Sequence, residues 1–94
     1  VVLRAYPLAL AQREVRLLVD GAARLKPQEE PQHCAAIVAR SSHWASKKRL
    51  RHNAYLDPWG TPYRLYYAGG RWRAVSAGPD RKFGTSDDIT AEYP

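Results

Sequence analysis

Asp57-Pro58-Trp59-Gly60-Thr61-Pro62-Tyr63-Arg64 is followed, after a short strand pair, by Ser76-Ala77-Gly78-Pro79-Asp80-Arg81-Lys82-Phe83-Gly84-Thr85-Ser86-Asp87-Asp88-Ile89. The first block is a backbone device before it is a site. Pro58 and Pro62 fix φ and withhold two amide donors, Gly60 permits positive φ, and the Asp57 carboxylate can accept hydrogen bonds from the backbone that follows it. Such a block predicts a rigid entry to a hairpin, from which Trp59 buries its ring against a helix; a ligand-stacking Trp59 is the alternative. Between the two blocks Tyr63 to Tyr67 alternates, Ala68-Gly69-Gly70 turns, and Trp72 to Ala77 resumes the alternation, so an antiparallel hairpin spans residues 63 to 77. Tyr63, Leu65 and Tyr67 share one face opposite Arg64 and Tyr66, and Trp72, Ala74 and Ser76 oppose Val75 and Ala77. Residues 89 to 92 supply a short third strand.

Upstream, Leu8, Ala11, Val15, Leu18, Ala22 and Leu25 recur at spacings of three and four, while Gln12, Arg13, Glu14, Arg16 and Arg24 lie elsewhere on the wheel. This predicts an amphipathic helix over about 8–26, with Pro7 near its start and Pro27 at its end. Residues 27 to 32 read as a connector, and the Ala-rich stretch from His33 to about Ser46 as a second, shorter helix with Cys34, Ile37, Val38 and Trp44 as candidates for burial. Lys47-Lys48-Arg49-Leu50-Arg51-His52 is either the frayed end of that helix or an exposed loop. The expectation is an α+β fold in one domain over residues 1–94. Helix 1–26 and a variable helical and loop region, 27–56, pack on the hairpin and C-terminal loop of 57–94.

The loop from Ala77 to Asp88 carries three carboxylates, Asp80, Asp87 and Asp88, with Gly84 where the chain must fold back. Calcium takes six to eight oxygens at about 2.3–2.6 Å, from carboxylates, carbonyls and water. The loop has such oxygens but not the EF-hand pattern. Arg81 and Lys82 supply the other reading, a salt-bridged surface loop in which Asp80 and Asp87 cap backbone donors.

Residues 57 to 89 resemble the C-terminal half of the pseudopilins of type II secretion systems, above all the major, G-type pseudopilins. The resemblance implies a pilin-like fold, with calcium held by the Asp80, Asp87 and Asp88 side chains and the Ala77 main-chain oxygen, on a scaffold of Asp57, Pro58, Trp59, Gly60 and Pro62. The family usually has glycine after the first of these aspartates, where this chain has Arg81. The resemblance also implies an apolar, methylated N-terminal membrane helix running directly into Val1-Val2-Leu3; because the amphipathic stripe is longer than a small sheet can cover, these first turns are expected to project beyond the domain. The chain, which opens on Val1 and has no membrane-spanning run of its own, is then read as excised from a longer protein. By the same resemblance it is the periplasmic domain of an inner-membrane protein of a Gram-negative bacterium. It would be a structural subunit of the pseudopilus, partnered by like and minor pseudopilin subunits and by the inner-membrane secretion platform.

The 94 residues carry a net charge of +6, and the excess is uneven: residues 1–52 hold ten Lys/Arg against four Asp/Glu, and residues 53–94 hold five against five. A basic surface raises nucleic acid or anionic lipid as a partner, although its usual meaning is only a solvated face. The rival function is thus a pilin-like DNA-uptake subunit using Lys47, Lys48, Arg49 and Arg51, with Arg71 and Arg73 beside an exposed Trp72. An adaptor of another machine is a third. Cys34 is the only cysteine, which excludes an internal disulfide and reads as a small buried residue. His33, His43 and His52 are not spaced as zinc ligands on one helix face. Ser41 and Ser42 beside His43 are no nucleophile and base pair, and no glycine-rich loop joins a strand to a helix. The expectation is a protein that is not an enzyme.

Overall fold

The computed structural model describes residues 2–93, with side chains from residue 6 onward. Val1, and with it the projecting side chains expected of Val2 and Leu3, lies outside the described residues. The element order is α1 (Val2–Leu25), α2 (Pro31–Arg40), β1 (Arg64–Ala68), β2 (Arg71–Ser76) and β3 (Ile89–Tyr93). The three strands form one antiparallel sheet in the order β1-β2-β3, and the two helices pack on it. The α+β expectation is met.

α1 begins at Val2 rather than near residue 8, so Pro7 lies inside it. A proline there forfeits one backbone bond, a loss confined to the helix's opening turns. Its other end is sharp: Lys26 takes positive φ (49°) and its N–H bonds the Ala22 carbonyl at 2.7 Å, and Pro27 bars continuation. The centre of the predicted stripe is buried at Ala11, Val15, Leu18 and Ala22, joined by Val19. Its two ends are not: Leu8 is 42% and Leu25 49% exposed. Gly21 sets the helix spacing, since a Cβ there would stand 2.5 Å from Val38 Cγ1 of α2.

α2 starts with Pro31 in its first turn, a position that needs no N–H. It stops at Arg40 rather than Ser46. The Ser42 hydroxyl donates to the Ala39 carbonyl at 2.8 Å and accepts from the Ala45 N–H at 3.3 Å, offering the backbone an alternative to the next helical turn. Cys34, Ala35, Val38 and Ala39 are buried against α1 and the sheet, as is the Cys34 thiol, whose pKa burial pushes up.

The hairpin turns on Gly69 and Gly70, both at positive φ (59° and 79°) as a two-residue turn between twisted strands requires. Its register pairs Leu65 with Ala74 and Tyr67 with Trp72, and β2 pairs Ala74 with Ala91 and Ser76 with Ile89. Leu65, Trp72, Ala74, Ser76 and Ile89 are buried. The expected face therefore turns inward except at Tyr67, which is 61% exposed and packs edge-on against Trp72.

Glu14 was placed among the polar positions of α1, yet it is 2% exposed. Arg49 grips it with both terminal nitrogens at 2.8 Å, and the Tyr55 and Tyr63 hydroxyls donate to it at 2.6 and 2.8 Å. A carboxylate accepting four such bonds tolerates burial. Glu14 lies three residues after Ala11 and four before Leu18, on the edge of the buried stripe, and the distant donors decide that it turns inward. Burial first, and the Glu14 carboxylate second, raise the pKa of both phenols above their ordinary value of 10.0. At Arg49 burial opposes the charge, but Glu14 outweighs it and the pKa is raised.

The pH dependence follows with a definite sign. Phenols whose pKa is higher in the folded than in the unfolded chain contribute stability that is whole below pH about 10 and lost above it. Urea unfolding between pH 9 and 11 should show stability falling by up to about 1.4 kcal/mol per pH unit for each of the two tyrosines. Tyr63→Phe should remove roughly half of that slope while lowering stability at neutral pH by about 1 kcal/mol.

Candidate functional site: the C-terminal loop and its scaffold

Asp57 is fully buried. One carboxylate oxygen, Oδ1, accepts the backbone N–H groups of Trp59 (3.0 Å) and Thr61 (2.9 Å), while the Asp57 N–H reaches the Thr61 carbonyl at 2.8 Å and the Gly60 N–H returns to the Asp57 carbonyl at 2.9 Å. Gly60 has φ +91°, so the 57–62 block is the closed, rigid turn that its composition predicts. Pro62 bridges Leu56, and Trp59 is half-buried against the core. The second oxygen, Oδ2, does what the sequence did not disclose. It accepts the Ser76 hydroxyl at 2.7 Å, and Ser76 Oγ in turn accepts the Gly78 N–H at 3.2 Å. A chain of bonds thus runs from the hairpin's entry to the first residues of the acidic loop.

Gly78 (φ +80°) closes that loop. A Cβ on it would collide with the Asp87 carbonyl oxygen, so the two ends of the loop meet backbone to backbone. Within the loop, Asp80 Oδ1 accepts the Lys82 N–H at 3.0 Å and Oδ2 the Thr85 hydroxyl at 2.7 Å. The Thr85 oxygen also accepts the Asp87 N–H at 3.3 Å. The Lys82 amide and the Thr85 hydroxyl hold the Asp80 carboxyl below its ordinary range. Asp88 Oδ2 accepts the Gly84 N–H at 2.9 Å, whereas Asp88 Oδ1 is buried without a partner. Phe83 ties the loop to the sheet, its ring lying 3.8 Å under the Arg64 guanidinium.

Two details of the salt-bridged reading change. Among the described residues neither Arg81 nor Lys82 forms an ion pair with an aspartate; the ion pairs are Glu14–Arg49 and a longer Arg71–Glu92 contact of 3.7 Å. The capping aspartates are Asp80 and Asp88, not Asp87. Asp80, Asp87 and Asp88 do share the loop, and buried Ala77 opens it, but among the described residues no three acidic, imidazole or thiol groups converge on one point. Arg81 itself takes positive φ (59°), the conformation that favours glycine, at the position after Asp80.

The basic patch is also altered. Lys47, Lys48 and Arg51 are exposed, but Arg49 is committed to Glu14 and Trp72 is buried (9% exposed), so the stacking surface expected there is absent from the patch. Among the described residues no helix is long and apolar enough to cross a membrane.

Over 36 residues, 36% of its length, this chain is 53% identical to the type II secretion system core protein G of Escherichia coli (strain K12). The match spans 25% of that protein. No family model and no solved structure matches the chain. The partial identity supports a pseudopilin-like protein of type II secretion, and two helices on a three-stranded antiparallel sheet are consistent with a pilin-like fold.

The two ends of the loop yield a paired prediction. Gly78→Ala meets both an unfavourable φ and the Asp87 backbone, and should lower stability by about 3 kcal/mol. Arg81→Gly relieves an unfavourable φ with no neighbour to lose, and should leave stability unchanged or raised by up to about 1 kcal/mol. Chemical denaturation of both variants checks the contrast.

Proposed function

We propose that this chain is the globular domain of a pseudopilin of the G type, a structural subunit that polymerises into the periplasmic pseudopilus of a type II secretion system and so drives protein export. The observation that carries the reading is the 53% identity over 36 residues with a core protein of that system. The α+β arrangement, with a long helix laid on a three-stranded antiparallel sheet, supports it. In this reading the partners are like and minor pseudopilin subunits and the inner-membrane platform, and a membrane helix upstream of α1 holds the protein in the inner membrane. The role is structural and not enzymatic.

We further propose that the 77–88 loop holds calcium. Support comes from Asp88 Oδ1, a buried carboxylate oxygen with no donor in reach, since such an atom costs free energy until a cation or donor meets it. Asp80, Asp87 and Asp88 would hold the ion with the Ala77 carbonyl oxygen once their side chains turn to one point, which requires Asp80 to exchange its bonds to the Lys82 N–H and the Thr85 hydroxyl for the cation; among the described residues neither Arg81 nor Lys82 is ion-paired with these aspartates. Bound calcium supplies charge neutralisation and a clamp across the loop. The closure at Gly78 and the anchor at Phe83 confine that change to the loop between them.

Calcium at a hundredfold excess over its dissociation constant should add about 2.7 kcal/mol of stability. Thermal melting in chelator, calcium and magnesium measures this. A calcium-selective rise in Tm that disappears in Asp88→Asn is the expected result, and an identical Tm in all three media removes the metal from the reading.

Assembly is tested separately. In cells carrying the full-length protein, cysteines introduced at Leu3 and Thr85 should cross-link neighbouring subunits, while the isolated 94-residue chain should sediment as a monomer. Loss of secretion on deletion of the gene, restored by the full-length protein, completes the test. Filaments without either cross-link, or secretion indifferent to the deletion, would falsify the proposal.

A further inference from the structure

From Pro31 to Leu56 the chain contains no Asp or Glu, while it carries Arg40, Lys47, Lys48, Arg49 and Arg51. Arg49 is used inside the fold. The other four are exposed, and none of them forms an ion pair among the described residues. Glu29 shares a surface groove with Arg40 and His52.

This surface is rigid. Arg49 donates to Glu14 and to the Leu56 carbonyl, and its own carbonyl accepts the Leu56 N–H at 2.9 Å. The Arg51 N–H reaches the Ala54 carbonyl at 2.7 Å, and Leu50 bridges Tyr55. The Ser46 N–H is held by the Tyr55 hydroxyl at 2.9 Å. Even two of the cations are oriented: Arg40 donates to the His52 carbonyl at 2.6 Å and Arg51 to the Lys48 carbonyl at 2.7 Å. Holding charges in place before a partner arrives lowers the ordering cost of binding.

We propose that the loop over residues 40–52 is a docking surface for an acidic segment of a protein partner. Charge complementarity selects an anion, and the neighbouring side chains select its class. A single-stranded nucleic acid is bound through aromatic rings on which its bases stack, but Trp44, the only Phe, Tyr or Trp of the loop, is half-buried and packs edge-on against Tyr55. A lipid surface is held firmly when apolar side chains insert beside the cations, but Leu50 and Trp44 are turned into the core. The acidic loop of a second copy of this chain carries Arg81 and Lys82 among its three aspartates, a net charge of only −1. Discrete carboxylates on a partner match four exposed cations, two of them held in place, with no requirement for stacking or insertion. The inference is independent of calcium and of filament formation.

The test uses the 94-residue chain and three probes at 50 and 150 mM salt: fluorescein-labelled hexaglutamate, an oligo-dT of twelve nucleotides, and phosphatidylcholine vesicles containing phosphatidylserine. Anisotropy and vesicle co-sedimentation read the binding. Hexaglutamate should bind, more weakly at the higher salt, and the triple variant Lys47→Glu, Lys48→Glu, Arg51→Glu should weaken it at least about tenfold. A control reversal of Arg13, Arg16 and Arg24 on α1, equal in charge, should weaken it far less. Thermal melting verifies that both variants remain folded, and if the triple variant does not, Lys47→Ala with Lys48→Ala replaces it with the same expectation in direction. Equal weakening by the two reversals, no binding of hexaglutamate at 50 mM salt, or tighter binding of the oligonucleotide or the vesicles than of the peptide at 150 mM salt overturns the proposal.

Discussion

The buried carboxylate of Glu14 and its bidentate partner Arg49 govern how the rest of this domain is put together. Glu14 stands on α1, Arg49 in the loop that follows α2, Tyr55 at the approach to the hairpin and Tyr63 at the foot of β1. Four bonds to one carboxylate therefore tie together segments 35 to 49 residues apart in sequence. In a chain of this length an apolar core leaves little surplus stability. A satisfied polar cluster adds what apolar contacts do not: directionality, since α1 cannot rotate or slide without leaving a charge buried and unpaired. Because the guanidinium is taken from the middle of the basic loop, the same pair also determines how the remaining cations face the solvent.

A second buried carboxylate, Asp57, acts at the same end of the sheet with a different logic. Its bonds are mostly local, to the amides of Trp59 and Thr61, and they make the proline-rich turn stiff. Only the bond to Ser76 is long-range, and it carries that stiffness across the hairpin to Gly78. The acidic loop thus starts from a fixed point and returns to it at Asp87. Between those points Asp80, Thr85 and Asp88 satisfy backbone and hydroxyl donors, and the strain of the loop is carried by Arg81 in a glycine conformation. A surface loop so constrained at both ends presents its carboxylates in a narrow range of positions, which suits a cation or a subunit contact better than a mobile segment would.

The sequence by itself determined the elements and the turns: period-two alternation with Gly69-Gly70 made the hairpin, three-and-four spacing with Pro27 made and ended α1, and Asp57 with its two prolines made the rigid entry. These are local matters, in which φ limits, missing donors and side-chain periodicity act within a few residues. The resemblance to pseudopilins was legible for the same reason, being carried by contiguous blocks. Only the tertiary structure decided that Glu14 is interior, that Ser76 hands the Asp57 bond on to Gly78, that Ser42 halts α2 before Trp44, and that Leu8 and Leu25 stay in solvent while Val19 does not. Each of these depends on which distant donor or apolar surface comes within reach of a side chain. A carboxylate reads as polar in any pattern, and only the arrival of an arginine and two tyrosines from other parts of the chain makes its burial favourable.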